Sequence, residues 1–252
     1  MSVMSDKKSK EEGGFGETVR VILQALVLAL IVRTFLFQPF NIPSGSMMST
    51  LLIGDYLFVS KYAYGYSRYS FPFSLPPFDG RVWSEEPERG DVVVFKLPKD
   101  NKTDYIKRVI GLPGDEIQVR EGSLYINGEE VPRERVDDFV DTDERGRVTR
   151  VPRYRETLPN GKQYTVLDLT PNGFTDNTNV YTVPAGHYFM MGDNRDNSTD
   201  SRVQSAVGFV PFDNLVGRAE LIFFSIDEST RIWEFWQWPS SVRWGRLLSA
   251  VD

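Results

Sequence analysis

The chain of 252 residues contains no cysteine and a single histidine, His187. The lack of cysteine excludes a disulfide framework and a thiol nucleophile, and it leaves the redox compartment undetermined. One histidine without cysteine provides too few ligands for a Cys/His zinc site. Acidic residues outnumber basic ones, 35 to 29, and the resulting net charge of −6 argues against nucleic acid as a partner. The remaining composition, 40% hydrophobic and 13% aromatic, is typical of a folded protein.

One long apolar run, VRVILQALVLALIVRTFLF, occupies residues 19–37. A helix of this length spans about 28 Å, close to the ~30 Å hydrocarbon core of a bilayer. Arg33, near its end, can extend its charge to the headgroups. Lysines 7, 8 and 10 and Arg20 lie near its start, and after Arg33 no basic residue appears before Lys61. We therefore expect a cytoplasmic tail at 1–18, a transmembrane helix at 19–37 and an extracytoplasmic domain at 38–252.

Two other interpretations of this run are open. A buried core helix is one, although core helices usually carry a polar face that this run barely shows. A cleavable signal peptide is the other, because Ser44-Gly45-Ser46 offers small residues two positions apart. That tripeptide lies well beyond the apolar run, behind Phe40, Ile42 and two prolines, which favours a retained anchor.

Beyond residue 38 the patterns are typical of β-strands. A short apolar run fills 91–97 (DVVVFKL), and Asn127-Gly128 between two further runs predicts a hairpin with a type I′ turn. Strands are also predicted at 187–191 (HYFMM) and 218–226 (RAELIFFSI), with Pro and Gly between the runs. No long helical period appears, so the domain is predicted to be mainly β.

Three stretches depart from this pattern. Residues 62–87 are rich in aromatic residues and proline, and residues 132–161 are densely charged. The charge predicts a solvated insertion, and we place an inserted subdomain at about 132–176. Tryptophan and phenylalanine crowd 233–244, where they predict either a packed core edge or an interfacial belt in contact with lipid headgroups.

Two segments carry residues suited to nucleophilic catalysis. Ser46 lies just beyond the apolar run, and a serine hydroxyl is a weak nucleophile until a base removes its proton. His187 could supply that base in a Ser-His-Asp triad. A lysine can replace it when desolvation keeps the amine neutral, and Lys107, in DYIKRVIG, is flanked by apolar and aromatic residues. In a strand, alternation would place the Lys107 side chain on the other face from those of Ile106 and Arg108. Taken alone, Lys107 would be interpreted as a surface lysine on a strand.

The blocks IPSGSMMSTLLIGDYLFVSKYAYG, DYIKRVIGLPGD and GHYFMMGDNRDNSTDSR follow one another, with GFVP and LVGRA after them. Together they resemble the type I signal peptidases, and the bacterial form closely, over about 80 residues. The resemblance implies a mainly β, signal-peptidase-type ectodomain with a small inserted subdomain, tethered by one N-terminal transmembrane helix. It also implies a serine endopeptidase of the inner (cytoplasmic) membrane, with its catalytic domain outside. Such an enzyme cleaves signal peptides from exported preproteins after small residues at −1 and −3, by a Ser/Lys dyad and an acyl-enzyme.

Position by position, the resemblance implies Ser46 as the nucleophile and Lys107 as the general base. Ser44 resembles the hydroxyl that forms an oxyanion hole with the Ser46 N–H, and Ser198 resembles the serine that orients the lysine amine. Six residues would contact the substrate: Phe40, Ile42, Pro43, Met47, Tyr105 and Ile106. Four residues would support the site structurally: Arg108, Asp193, Asp200 and Arg202.

The chain departs from the family pattern at two positions. Ser49 stands where the family usually has proline, which frees one backbone torsion just after the nucleophile. His187 stands where the family commonly has glutamine, which favours a structural role for it. No cofactor and no metal are implied. The acidic run 193–200 does not fit a calcium loop, because counting from Asp196 the positions that need Gly and Glu hold Ser201 and Val207.

Two other functions compete with peptidase activity. A self-cleaving repressor of the related Ser/Lys fold would need a soluble chain with a DNA-binding helix-turn-helix, whereas this chain has an apolar span and an acidic balance. A membrane-tethered β module that binds partners would have no reason to pair Ser46 with Lys107. We therefore expect signal peptides and the lipid bilayer as partners, with no nucleic acid and no metal.

Overall fold

The computed structural model describes residues 15–74, 77–142, 148–170, 172–227, 230 and 233–251. Most of the predicted tail at 1–18, including its three lysines, lies outside the described residues. The described residues form two α-helices, α1 at Phe15–Phe35 and α2 at Trp238–Ser241. Short 3₁₀ turns occur at Gly45–Met47, Tyr62–Tyr64, Arg68–Ser70, Pro72–Ser74, Phe212–Asn214 and Trp244–Arg246.

The strands, in chain order, are β1 Phe37–Asn41, β2 Asp55–Ser60, β3 Val92–Lys96, β4 Asp104–Gly111, β5 Glu116–Arg120, β6 Ser123–Ile126, β7 Glu129–Glu130, β8 Arg133–Arg135, β9 Phe139–Thr142, β10 Val148–Val151, β11 Arg153–Thr157, β12 Gln163–Leu167, β13 Tyr181–Thr182, β14 His187–Met191, β15 Val210–Pro211, β16 Leu215–Ser225 and β17 Ser249–Ala250. The prediction of a mainly β domain is confirmed. The apolar runs at 91–97, 187–191 and 218–226 all form strands.

Helix α1 is long and apolar enough to cross a membrane. All its side chains except Thr34 are exposed, which contradicts the alternative of a buried core helix. The bounds predicted for the helix, 19–37, are corrected at both ends. It begins at Phe15 and ends at Phe35, because Phe37 already belongs to β1 and Pro39 has no N–H to continue a helical ladder.

Eight strands form one antiparallel sheet in the order β1-β2-β16-β3-β4-β14-β15, with β17 beside β16. Its central strand β3 is buried on both faces, as its unbroken apolar run favours. Three strands separate β1 from β4 in this order, yet residues of both line one cleft. The sheet is therefore curled, and its curl brings the segment after β1 to β4.

Smaller sheets complete the domain: β13-β5-β6-β7, β12-β11-β8 and the ribbon β9-β10. The hairpin predicted at Asn127-Gly128 joins β6 to β7, and both turn residues have the positive φ of a type I′ turn, 55° and 81°.

The charged region at 132–176 folds as strands β8 to β12 and the loop after them, with residues 143–147 and 171 outside the described part. It is only partly the solvated insertion that its charge predicted. The β9-β10 ribbon is largely exposed, whereas Leu158, Tyr164 and Val166 join a buried core cluster with Phe189 of β14. Apolar residues at alternate positions of β12 bury this side of the insertion.

The aromatic, proline-rich stretch after β2 packs against the end of α1. The Tyr66 hydroxyl donates a 2.6 Å hydrogen bond to the Phe35 carbonyl, and the Phe35 ring contacts Tyr66 and Phe71 edge-on. The Lys61 N–H donates to the Leu36 carbonyl at 3.0 Å. Carbonyls at a helix C-terminus lack intrahelical partners, so these contacts fix where α1 ends.

The aromatic residues near the C-terminus are mostly not a packed core edge. Trp233, Phe235, Trp236 and Trp244 are each between 62% and 68% exposed. Trp238 alone is half-buried, with its ring 5.2 Å from that of Phe224. Four large apolar side chains exposed together are typical of a contact surface.

Candidate active site

The segment after β1 makes a tight 3₁₀ turn at Gly45–Met47 that buries Ser46, leaving it 8% exposed. A loop beyond β14 holds this turn from outside. The Asn194 side chain donates to the Gly45 carbonyl at 3.0 Å, and the Asn194 N–H donates to the Ser46 carbonyl at 3.1 Å. Because the Gly45 and Ser46 carbonyls are both bound, the backbone that carries the Ser46 hydroxyl has a fixed position.

Lys107 lies in β4, opposite Val93 of β3, and is 3% exposed. Its Nζ donates a hydrogen bond to Ser46 Oγ at 2.6 Å and another to the Ile106 carbonyl at 2.8 Å. The sequence separates these two residues by 61 positions, and the curled sheet brings them into contact. Lys107 is thus no surface lysine.

Burial lowers the pKa of Lys107 to about 8, because removing an ammonium group from water destabilises its charged form. The carboxylates of Asp200 and Asp193 act in the opposite direction, and Arg202 lowers the pKa a little further. Because burial outweighs the two carboxylates, the Lys107 amine is neutral in an appreciable fraction of molecules near neutral pH. A neutral amine in contact with a hydroxyl can accept its proton.

The two other predicted serines lie close to Ser46. Ser44 is exposed, and its hydroxyl is 3.5 Å from Ser46 Oγ. The Ser198 hydroxyl is buried and makes no hydrogen bond of ordinary geometry to Lys107. It lies near the Asp200 carboxylate instead, and its interaction there helps to lower the pKa of Asp200. A Cβ added to Gly192 would lie 2.2 Å from Ser198 Oγ and 2.5 Å from the Ser46 carbonyl. Gly192 is therefore the spacer that allows Ser198 to approach the nucleophile turn, which the sequence did not indicate.

Two buried ion pairs lie behind the dyad. Arg108 donates to both carboxylate oxygens of Asp193 at 2.9 and 2.8 Å, and Thr50 donates to Asp193 at 2.6 Å. Arg202 binds both oxygens of Asp200 at 2.9 Å. Burial alone would raise the pKa of Asp200, but Arg202 and the Gly192 N–H stabilise its charged form, and the pKa is lowered. The four residues predicted as structural support therefore form two bidentate pairs.

A cleft of about 490 Å³ opens in front of Ser46 and Lys107. It is lined by most of the predicted site residues: Phe40, Ile42, Pro43, Ser44, Ser46, Tyr105, Ile106 and Lys107. Five further lining residues were not predicted: Asn41, Val94, Asp104, Asn197 and Thr199. Four of the five are next to predicted residues in sequence. Val94 reaches the cleft through the β3–β4 register, where it lies opposite Ile106.

Met47 is the exception among the predicted substrate contacts. Its side chain is fully buried and packs with Leu51, Leu57 and Val92 instead of lining the cleft. The 3₁₀ turn explains the difference, because it places consecutive residues 46 and 47 on different sides. Met47 therefore supports the turn from the core.

The position that departs from the family pattern, Ser49, has a left-handed backbone, with φ at 98°. Proline cannot adopt that angle, since its ring fixes φ near −65°. The Ser49 hydroxyl hydrogen-bonds to the Thr165 hydroxyl of β12. The serine thus does more than free a torsion: its backbone adopts an angle that proline cannot adopt, and its hydroxyl ties the loop to the inserted region.

Two other candidate groups, the histidine of a Ser-His-Asp triad and a cluster of three aspartates that could hold a metal ion, lie outside the cleft lining. His187 lies at the start of β14 opposite Pro211, bonds through Nδ1 to the Ala185 carbonyl at 2.9 Å, and is not among the residues that line the cleft. Carboxylate oxygens of Asp168, Asp176 and Asp196 lie within 4.8 Å of one another, also outside the cleft lining. Those groups already accept hydrogen bonds from Arg133 and from the backbone N–H groups of Gly173, Leu169 and Thr170.

The described site thus offers a fixed hydroxyl, a desolvated amine in contact with it, a second exposed hydroxyl and a cleft walled by apolar side chains. This set is suited to attack on a carbonyl group, with proton transfer between the hydroxyl and the amine.

Comparison with known proteins finds similarity to one family. The sequence profile of the family described as "Signal peptidase, peptidase S26" matches residues 15–224. Signal peptidase I of Rickettsia typhi is 46% identical over 208 residues, which are 79% of this chain and 76% of that protein. Signal peptidase I of Rickettsia conorii is 44% identical over 229 residues, which are 88% and 82% of the two chains. A solved structure of a signal peptidase I from Enterococcus faecalis is 28% identical, covers 53% of this chain and 97% of its own, and has a TM-score of 0.31.

Proposed function

Because this chain belongs to the signal peptidase family, peptidase S26, and so cleaves signal peptides as a serine peptidase, we propose that Ser46 is its nucleophile and Lys107 its general base. The observation that carries the proposal is the 2.6 Å contact between Lys107 Nζ and Ser46 Oγ. Burial supports the role of the lysine, since it lowers the pKa of this amine to about 8.

In the proposed mechanism, neutral Lys107 takes the hydroxyl proton as Ser46 Oγ attacks the scissile carbonyl carbon. The oxyanion that forms accepts hydrogen bonds from the Ser46 N–H and the Ser44 hydroxyl. As the C–N bond breaks, protonated Lys107 returns the proton to the leaving amine, which leaves the signal peptide as an ester on Ser46. Lys107 then deprotonates a water molecule, whose attack on the ester frees the signal peptide and restores the hydroxyl.

The signal peptide is proposed to bind as an extended strand between the two walls of the cleft. β1 ends the large sheet, so its outer edge is unpaired among the described strands, and β14 pairs with β4 only from Arg108 onwards. Both free edges border the cleft and can bind a peptide backbone. Phe40, Ile42, Tyr105 and Ile106 would form its apolar walls, with Pro43 at its rim. Following the A-x-A pattern of signal-peptide cleavage sites, we expect small residues to bind at −1 and −3.

We place the reaction at the outer surface of the inner membrane, with α1 as a retained single-pass anchor and the N-terminus in the cytoplasm. Retention is supported by the small-residue tripeptide Ser44-Gly45-Ser46, because Ser44 caps the nucleophile turn and Gly45 and Ser46 belong to it, so cleavage there would divide the site. The exposed Trp233, Phe235, Trp236 and Trp244 are proposed to contact lipid headgroups.

Processing of an exported precursor by full-length protein tests the dyad. Ser46→Ala and Lys107→Ala should each abolish cleavage, whereas His187→Gln, which alters the histidine outside the cleft, should cleave at the wild-type rate. Unfolding curves for all three variants would show whether the fold is retained. Loss of activity in a folded His187→Gln variant, or activity retained by Lys107→Ala, would refute the assignment.

A further inference from the structure

A second cavity, of about 850 Å³, adjoins the catalytic cleft and shares Phe40 and Asp104 with it. Leu30 and Arg33, from the last turns of α1, form another part of its lining. The cavity therefore lies where the proposed membrane helix joins the catalytic domain, at the level expected for lipid headgroups.

The lining of this cavity is strongly basic. It contains five cationic side chains: Arg33, Lys61, Arg68, Lys96 and Lys102. Among the described lining residues only two are acidic, Asp100 and Asp104, which leaves an excess of three positive charges there. Asp100 already accepts hydrogen bonds from the N–H groups of Lys102 and Thr103, and Asp104 is paired with Lys96 at 2.8 Å.

The positive charges of Lys61 and Arg68 are balanced by little negative charge nearby. Lys61 is 3% exposed, and its amine donates to a neutral acceptor, the Ser70 carbonyl. Burial and then repulsion by Arg33 lower the pKa of Lys61 to about 8, with Asp104 only partly opposing them. The carboxylate paired with Arg68, on Asp79, is 3.9 Å away and fully exposed, so this pair contributes little.

The structure thus points to an anion as the missing partner, and we propose that this cavity binds the phosphate of an anionic phospholipid whose acyl chains lie along α1. Lysine and arginine side chains bind phosphate through charge-assisted hydrogen bonds, and basic pockets beside membrane helices bind lipid headgroups. The exposed apolar side chains of α1, including Leu30 at the cavity edge, can contact the acyl chains.

This proposal also gives a role to the aromatic, proline-rich stretch. The stretch is bound to the end of α1 through Tyr66 and Phe71, and it carries Arg68 between those two contacts. Phe71 and Pro72 line the same cavity. The stretch therefore holds Arg68 beside Arg33 at the membrane end of the domain.

An acidic segment of the signal peptide is the competing ligand, because the cavity adjoins the cleft. The membrane side of the cavity favours the lipid. A lipid has both a phosphate for the basic lining and an apolar part for α1, whereas the peptide must leave the bilayer to reach Ser46.

Lipid binding can be measured independently of catalysis in full-length Ser46→Ala protein. Purified in neutral detergent and mixed with phosphatidylglycerol, the protein should retain this lipid in native mass spectrometry and should retain phosphatidylcholine much less. Adding Arg68→Gln and Lys102→Gln together should weaken phosphatidylglycerol retention about 10-fold or more, because each basic residue contributes to attraction of an anionic headgroup. Neither side chain is buried, so the fold should be preserved.

Lys99→Gln is the matched control, since Lys99 is an exposed lysine of the same β3–β4 connection that does not line the cavity. It should leave lipid retention unchanged, and inorganic phosphate should not displace the lipid. Equal retention of both lipids, an equal loss in Lys99→Gln, or displacement by phosphate would overturn the lipid proposal. With Ser46 restored, Arg68→Gln/Lys102→Gln should cleave a soluble peptide in lipid-free detergent as the wild type does. Slower cleavage there would assign the cavity to the peptide instead.

Discussion

Replacing Lys107 by methionine should have opposite effects on activity and stability. Methionine has a similar length and no charge, so it fills the same buried space at Val93 and Ile106 without an amine to desolvate. Cleavage should be lost with the general base. The folded state should nevertheless become more stable near neutral pH, because residues shaped for catalysis are often destabilising.

The size of the gain follows from the pKa and the hydrogen bonds of Lys107. Folding lowers its pKa from 10.5 to about 8, and with about 1.4 kcal/mol per pKa unit the charged amine destabilises the folded state by about 3 kcal/mol. Methionine also loses the hydrogen bonds to Ser46 Oγ and the Ile106 carbonyl, each contributing about 1 kcal/mol. We therefore expect Lys107→Met to raise the free energy of unfolding by about 1 kcal/mol near pH 7.

The stability that Lys107→Met gains over the wild type should decrease as the pH rises. Well below pH 8 the lysine is mostly protonated in both states, so nearly its full penalty is present. Between about 8 and 10.5 the unfolded chain binds more protons than the folded protein, so the stability of the wild type rises with pH. The advantage of methionine, about 1 kcal/mol near pH 7, should therefore shrink as the pH rises above about 8 and change sign within this range, at about pH 9. Above about pH 10.5 only the lost hydrogen bonds count, and the wild type should be the more stable protein.

Urea unfolding in neutral detergent, followed by tryptophan fluorescence at about pH 7 and about pH 10, measures this difference. Ser46→Ala is the control, because it removes one hydrogen bond of the amine and keeps the buried charge, so it should show no gain near pH 7. A Lys107→Met protein that is less stable than the wild type at pH 7, or a difference that stays constant with pH, would refute the reasoning.

Three further predictions concern the same site. Ser44→Ala should lower kcat about 10²- to 10³-fold with little change in KM, since its hydroxyl would act mainly in the transition state; an unchanged kcat would exclude it as an oxyanion donor. The kcat/KM of the wild type should rise with pH to a plateau above about 8, following deprotonation of Lys107, and an activity that is flat through this region would contradict a lysine base. Ser49→Gly should change stability by less than about 1 kcal/mol, because a φ of 98° suits glycine while the hydrogen bond to Thr165 is lost, whereas Ser49→Pro should destabilise by clearly more than Ser49→Gly, because proline cannot adopt this φ; equal unfolding midpoints for the two variants would refute the assigned backbone conformation.

Features set by local sequence could be predicted well. The apolar runs of β3 and β14 and the Asn127-Gly128 hairpin form where expected, because alternation, turn chemistry and β-branched content act over a few residues. The membrane-type helix is likewise a matter of length and apolar composition. Its end could not be placed, since it depends on Tyr66 and Lys61, which lie far along the chain.

The site itself was predicted from motifs, and what the motifs could not give is geometry. Nothing local in the sequence indicates that the sheet curls until the turn at Ser46 meets β4, or that Val94 reaches the cleft through its register with Ile106. Met47 was misplaced for the same reason, since only the 3₁₀ turn decides that it packs in the core. The left-handed Ser49 depends on contact with Thr165, 116 positions later.

The order of elements along the chain ties the proposed chemistry to the membrane. α1 ends at Phe35, β1 follows at Phe37–Asn41, and the nucleophile turn begins at Gly45. Eleven residues follow Phe35 up to and including Ser46, and they span at most about 40 Å when fully extended. The actual distance is shorter, because β1 pairs with β2 and the chain then turns at Gly45–Met47. A signal peptide whose apolar segment is in the bilayer is held in the same layer, which raises the effective concentration of each partner for the other. The strand that leads out of the membrane is also the strand whose free edge borders the cleft, so one segment can serve as both tether and substrate platform.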